Sequence, residues 1–183
     1  MLRLLYAILL GVVGAGIVHI SILVLLPLFS DRDAWARLAA AADLYVITAA
    51  DGTDGSKPTV EAPDPFVRAV ACRFDLEDGP LRLRADGTVP FWSASIYDRG
   101  GKNVYNFNDH TAAGGMLDFV IVTPTQMIDM RKDLPADLQS SVFVEADVDV
   151  DEGTVVVRAF VPDDSWKKTI STYLGSIACL PQQ

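Results

Sequence analysis

From Leu4 to Phe29 the chain reads LLYAILLGVVGAGIVHISILVLLPLF, with no formally charged side chain. This is longer than the roughly 20 residues that cross a bilayer. At about 1.5 Å per residue such a helix reaches about 39 Å against a hydrocarbon core of about 30 Å, which predicts a tilted membrane span. Pro27 lacks an amide proton and is expected to bend or end the helix, with Ser30 or Asp31 capping a short second helix. There Trp35, Leu38 and Ala42 share a face, and Trp35 suits either lipid headgroups or packing on the following domain. Leu44 to Thr48 is β-branched and aromatic enough to be extended. The stretch from 49 to 65 turns rich in Gly, Pro and Asp, a linker whose Asp51 and Asp54 fit turn chemistry better than a calcium loop.

Beyond it a period of two takes over. Phe66, Val70, Cys72, Phe74 and Leu76 fall on one strand face. A strand at Leu81 to Arg84 follows the Gly79-Pro80 turn, and strands at Phe91 to Tyr97 and Lys102 to Phe107 flank a glycine turn, Asp98 to Gly101. Met116 to Thr123 reads as a central strand, followed by a short helix that Pro135 stops. In Ser141 to Val161, Val144, Ala146, Val148 and Val150 alternate with Glu145, Asp147, Asp149 and Asp151. A two-residue turn at Glu152-Gly153 would pair Val150 with Val155, Val148 with Val157 and Asp147 with Arg158. Trp166, Ile170, Tyr173, Leu174 and Ile177 then recur at helical spacing, capped by Asp163 or Asp164. The pattern predicts a transmembrane anchor (1–30), a juxtamembrane helix and extended segment (31–48), a linker loop (49–65) and a mainly β, antiparallel domain with a C-terminal helix (66–183).

Charge narrows the partners. The chain has 15 basic and 24 acidic residues, a net charge of −9, which argues against nucleic acid and against anionic lipid surfaces. A cleaved signal peptide has a shorter apolar core and a nearby small-residue cleavage site, so an uncleaved single-pass anchor is the expectation. Arg3 on one flank and Arg32 and Arg37 on the other leave the positive-inside count undecided; a signal-anchor topology puts the domain outside the cytoplasm. Within the span Ala7, Gly11, Ala15 and His19 follow one another at i, i+4, a stripe suited to a second helix, whether another copy or another membrane protein. A lone intramembrane histidine is too little for a proton relay.

Candidate chemistry is sparse. Cys72 and Cys179 either pair, as an exported domain allows, or lie buried apart. The carboxylates of Glu145, Asp147, Asp149 and Asp151 stand about 6.5 to 7 Å apart along a strand and could attract a divalent cation, but calcium wants six or more convergent oxygens, so a solvated face is the better reading. His110 is the only histidine outside the span; with Asp98 and Asp109 it is the one weak catalytic constellation, and Ser93 and Ser95 lack a nucleophile elbow. No zinc spacing, phosphate loop or dinucleotide fingerprint is present, so no cofactor is expected.

The segments DPFVRAVACRFDLEDGPLRL and VPFWSASIYDRGGKNVYNFND resemble the bacterial envelope family called domain of unknown function 1254, and its relative numbered 1214, through Phe91, Trp92, Ser93, Tyr97 and Asp98. The resemblance runs from about Pro63 to Thr123. It implies a β-sandwich-like domain of unassigned activity and supplies no catalytic residues. Together these readings predict a bacterial inner-membrane protein with a periplasmic domain, a noncatalytic binding or assembly component. The alternative is an enzyme acting on a small or lipid-derived substrate through His110 and nearby carboxylates.

Overall fold

The computed structural model describes residues 2–52, 64–146 and 151–182, with side chains of 27–34 left aside. The period-two segments build two facing sheets. In chain order the strands are β1 (Thr48–Ala49), β2 (Val67–Asp75), β3 (Leu81–Arg84), β4 (Trp92–Asp98), β5 (Asn103–Asn108), β6 (Asp118–Val122), β7 (Val142–Glu145), β8 (Glu152–Phe160) and β9 (Ala178–Pro181). Five form one sheet in the order β1-β2-β8-β4-β5, and four form the other in the order β7-β6-β3-β9. All pairs are antiparallel except β6 with β7.

The core fills the space between the sheets because alternate residues on each strand point inward. Phe74, Trp92, Ile96 and Val155 from the first sheet meet Leu81, Leu83, Phe119 and Ile121 from the second, all fully buried. Phe107 stands edge-on to Trp92 at 5.8 Å and to Phe119 at 4.4 Å, the arrangement aromatic quadrupoles favour. The Trp92 indole N–H donates to Gly115 O at 2.9 Å, so this large side chain is buried without a stranded donor. Cys72 of β2 and Cys179 of β9 are joined as a disulfide with Cα atoms 6.7 Å apart, and the bond ties one sheet to the other.

Among the described residues three α-helices complete the fold: α1 (Leu2–Ala41), α2 (Pro124–Lys132) and α3 (Lys167–Gly175). Helix α2 begins with a capping box in which Thr123 and Gln126 satisfy each other's backbone, with Pro at the start of the helix. It covers the second sheet's outer face, where Val120, Val122 and Leu138 cluster with Met127 and Phe143. Asp163 accepts from Ser165 N–H at the turn that leads into α3, and Ile170, Tyr173 and Leu174 of α3 join the core.

Four local expectations change. The hairpin at Glu152-Gly153 does not form: both residues lie inside β8, whose Val155 sits between Cys72 and Ile96, Val157 between Val70 and Ala94, and Arg158 between Ala69 and Ser93. Gly153 is there for close approach, since an added Cβ would run into the Phe74 ring and lie 2.7 Å from Tyr97 O. The residues proposed to pair with this segment, Asp147, Val148 and Val150, fall outside the described residues. Helix α1 continues through Pro27 to Ala41 with no second cap; the proline removes one amide donor, which a long helix tolerates when its other bonds remain. The terminal helix is shorter than its apolar spacing suggests: it ends at Gly175, and Ala178–Pro181 pairs with β3 as a strand. Leu44 to Thr48 is extended only at its end, because Tyr45 takes a left-handed φ of 64° and its N–H donates to Arg73 O. Most of the expected linker, 53–63 with Asp54, lies outside the described residues, while Ala49 is in β1.

Candidate functional site

The long helix meets the first sheet at its own C-terminal end. Leu38 is buried with Ala50, Ala69 and Ala71 against Val156. The Arg73 guanidinium donates to Ala42 O at 3.2 Å, which satisfies a carbonyl at the helix end. Arg73 and Arg99 also approach the Trp35 ring, at 4.6 and 5.8 Å from its centroid. Of the two seats open to Trp35, the domain surface is occupied.

Beside this joint opens a cleft of about 400 Å³ lined by Asp75, Glu77, Asp98, Arg99, Asp151 and Glu152. Its acidity is largely engaged. Asp75 accepts from Glu77 N–H at 2.9 Å, Asp98 accepts from Lys102 N–H at 2.8 Å to close the β4–β5 turn, and Glu152 pairs with Arg99 at 2.6 Å. Among the described residues no group of three or more His, Cys, Asp or Glu is placed to hold a metal ion. Glu145 is exposed at the end of β7 and Asp151 is exposed at the cleft, while Asp147 and Asp149 lie outside the described residues.

The catalytic candidates are split between two ends of the β4–β5 hairpin. Asp98 closes the turn, whereas Asp109 N–H donates to Trp92 O at the opposite end. Six residues of extended chain separate those ends by about 20 Å. His110 is exposed, and its backbone N–H donates to Asn108 Oδ1. The nearest chemistry there belongs to Asp109 and Tyr173: burial first, then the Asp109 charge, pushes the Tyr173 phenol up to about 12. Tyr173 Oη and Asp109 Oδ1 are each buried without a hydrogen-bond partner among the described residues.

The outward side of the first sheet holds a cluster that single-strand reasoning missed. Register puts Arg158 opposite Ser93 on β4 and Ser95 opposite Asn106 on β5, so these residues share the outer face. Arg158 donates to Ser95 Oγ at 2.9 Å and to Tyr97 Oη at 3.4 Å, and no carboxylate pairs with it among the described residues. Burial alone would raise the Tyr97 phenol, but hydrogen bonds from Arg158 and Ser95 and the Arg158 charge outweigh it and hold the phenol below its ordinary value. The FWS and YD letters supplied half of this cluster. Arg158 lies some sixty residues on, reached only through strand pairing.

The helical stripe Ala7, Gly11, Ala15 and His19 is exposed along its length, and nothing lies within 4 Å of a Cβ built on Gly11, Gly14 or Gly16.

A family model described as a protein of unknown function, DUF1254, matches residues 41–181. Among solved structures, the VPA0106 protein from Vibrio parahaemolyticus is similar with a TM-score of 0.60 at 13% identity, over 84% of this chain and 35% of that one. An uncharacterized protein from Burkholderia cenocepacia gives a TM-score of 0.46 at 15% identity, over 74% of this chain and 36% of that one. This chain therefore spans about a third of each solved chain. No curated protein matches significantly.

Proposed function

The chain belongs to the DUF1254 family, and from that premise we propose that it is a single-pass, membrane-anchored binding component of the bacterial envelope, with its β domain on the periplasmic side of the inner membrane. The observation that carries this reading is the exposed apolar helix. Leu2–Leu26 has a mean hydropathy of 2.6, none of that window is buried within the molecule, and a helix apolar all round needs an apolar solvent. The family match begins at residue 41, the last residue of α1, consistent with an anchor added to a shared domain. Because α1 runs without a break into the Leu38 contact, the tether would hold the sheet at a set distance from the lipid. The Cys72–Cys179 bond favours an oxidising compartment. Binding is favoured over catalysis because Asp98 is engaged in a turn far from Asp109 and His110.

Carbonate extraction of membranes tests the anchor. The full chain should stay in the pellet and keep its N-terminus; recovery in the supernatant, starting past residue 30, would make α1 a removed leader. A reporter fused after Gln183 tests the side: activity of a periplasm-dependent reporter is expected, and activity only of a cytoplasm-dependent one reverses the topology.

A further inference from the structure

Among the described residues Arg158 presents a half-buried cation with no carboxylate paired to it, in a chain that carries 24 acidic residues against 15 basic. A guanidinium has five N–H donors in a planar fork, and among the described residues two oxygens, Ser95 Oγ and Tyr97 Oη, accept from this one. The surroundings add donors rather than acceptors. Ser95 and Asn103 also hydrogen-bond the Tyr97 phenol, and Asn106, opposite Ser95, exchanges side-chain amide bonds with Asn103, which leaves a second amide hydrogen on Asn106. One cross-strand row further along the same face, Phe160 N–H donates to Phe91 O, and the two rings are 41% and 37% exposed. Two residues along each strand put these rings about 7 Å from the Arg158 and Ser93 row, on the same side of the sheet.

We propose that this face binds a small molecule bearing a single carboxylate and an apolar or aromatic part, the carboxylate on the Arg158 fork beside Tyr97 and the apolar part over Phe91 and Phe160. This rests on the reading of the domain as a binding component and names its ligand class. The fork geometry suits bidentate contact with a planar carboxylate. A net charge of −9 works against multiply charged anions such as phosphate more than against a monoanion. The adjacent rings give an apolar substituent somewhere to leave water.

Benzoate serves as the probe, titrated onto the full chain in nanodiscs of zwitterionic phosphatidylcholine and followed by saturation-transfer NMR, with benzamide, acetate and inorganic phosphate as comparators. Saturable benzoate binding is expected, with benzamide and acetate each at least tenfold weaker. Arg158→Lys, which keeps the charge and loses the fork, should weaken benzoate at least tenfold, and Phe160→Ala should weaken benzoate several-fold while leaving acetate unchanged. Melting curves of each variant establish that the fold persists; if Arg158→Gln unfolds, Arg158→Lys carries the comparison. The proposal is overturned if benzoate fails to saturate the natural chain, if it binds the Arg158 variants equally well, or if phosphate displaces it at equal concentration. Any of these results alongside retention in the carbonate pellet removes the ligand and leaves the anchor standing, whereas a soluble chain that binds benzoate does the reverse.

Discussion

Arg82 and Arg158 occupy comparable positions on the outward faces of the two sheets, yet their surroundings differ. Arg82 on β3 makes two parallel bonds to Asp118, both at 3.0 Å, and donates at 2.7 Å to Asp137; Ser141 donates to the same Asp118. Hydrogen bonding to Asp118, ahead of its charge and that of Asp137, lifts the Arg82 guanidinium above its ordinary value despite burial. Arg158 meets hydroxyls instead. A neutralised, bidentate arginine binds its own chain together, as Arg82 does for β3, β6 and the turn before β7. One that meets only hydroxyls among the described residues is not neutralised by them, which is what the proposed carboxylate ligand would exploit.

That contrast can be broken at several levels. The largest effect should come from the bond that joins the two sheets: replacing Cys72 and Cys179 with Ala frees a loop of 107 residues, and chain entropy predicts a loss of roughly 4 kcal/mol. Both faces should then melt together at a lower urea midpoint. Next, Arg82→Gln strands a largely buried Asp118, 18% exposed at its side chain, and should lower stability by about 3 kcal/mol. The same exchange at Arg158 strands no carboxylate among the described residues, so a loss under about 1 kcal/mol is expected; equal losses in the two variants would erase the distinction. Arg158→Gln should also move the Tyr97 phenol upward, read by NMR of ring-labelled tyrosine, because the cation that favours the phenolate is gone.

The smallest effect concerns tyrosines away from both arginines. Burial first, then the hydrogen bond to Asp78, pushes Tyr45 up to about 12, as burial does Tyr173. Unfolded tyrosine titrates near about 10, so the folded state holds these protons more tightly. Their contribution is full below pH about 10 and falls as pH rises towards about 12. Tyr45→Phe should flatten that alkaline decline. Tyr173→Phe should flatten it as well while costing little at neutral pH, since the Tyr173 hydroxyl has no hydrogen-bond partner among the described residues.

Where local pattern and local partner coincide, reading the chain alone was enough. The Asp98–Gly101 turn between β4 and β5, the apolar centre of β6 and the short helix α2 ahead of Pro135 are each dictated within a few residues. Errors came where a segment's signal suits two partners. Val155 and Val157 alternate as well for a hairpin with 144–150 as for the centre of a sheet, and the second is what forms, with the Phe74 ring and the Tyr97 carbonyl closing on Gly153. Ala178–Pro181 lies just beyond a helical periodicity, and β3 offers it unpaired backbone groups that water would otherwise hold.

The candidate site divides the same way. Ser93, Tyr97 and Asp98 stand out in one short motif, but nothing in that motif points to Arg158. By itself the order of residues determined an apolar stretch long enough for lipid, a β domain and its alternating inner face, because hydrophobic burial and backbone period act over neighbours. Which strands adjoin, which arginine finds a carboxylate and which cysteines meet were decided by the packed structure, because those free energies depend on distances between residues far apart along the chain.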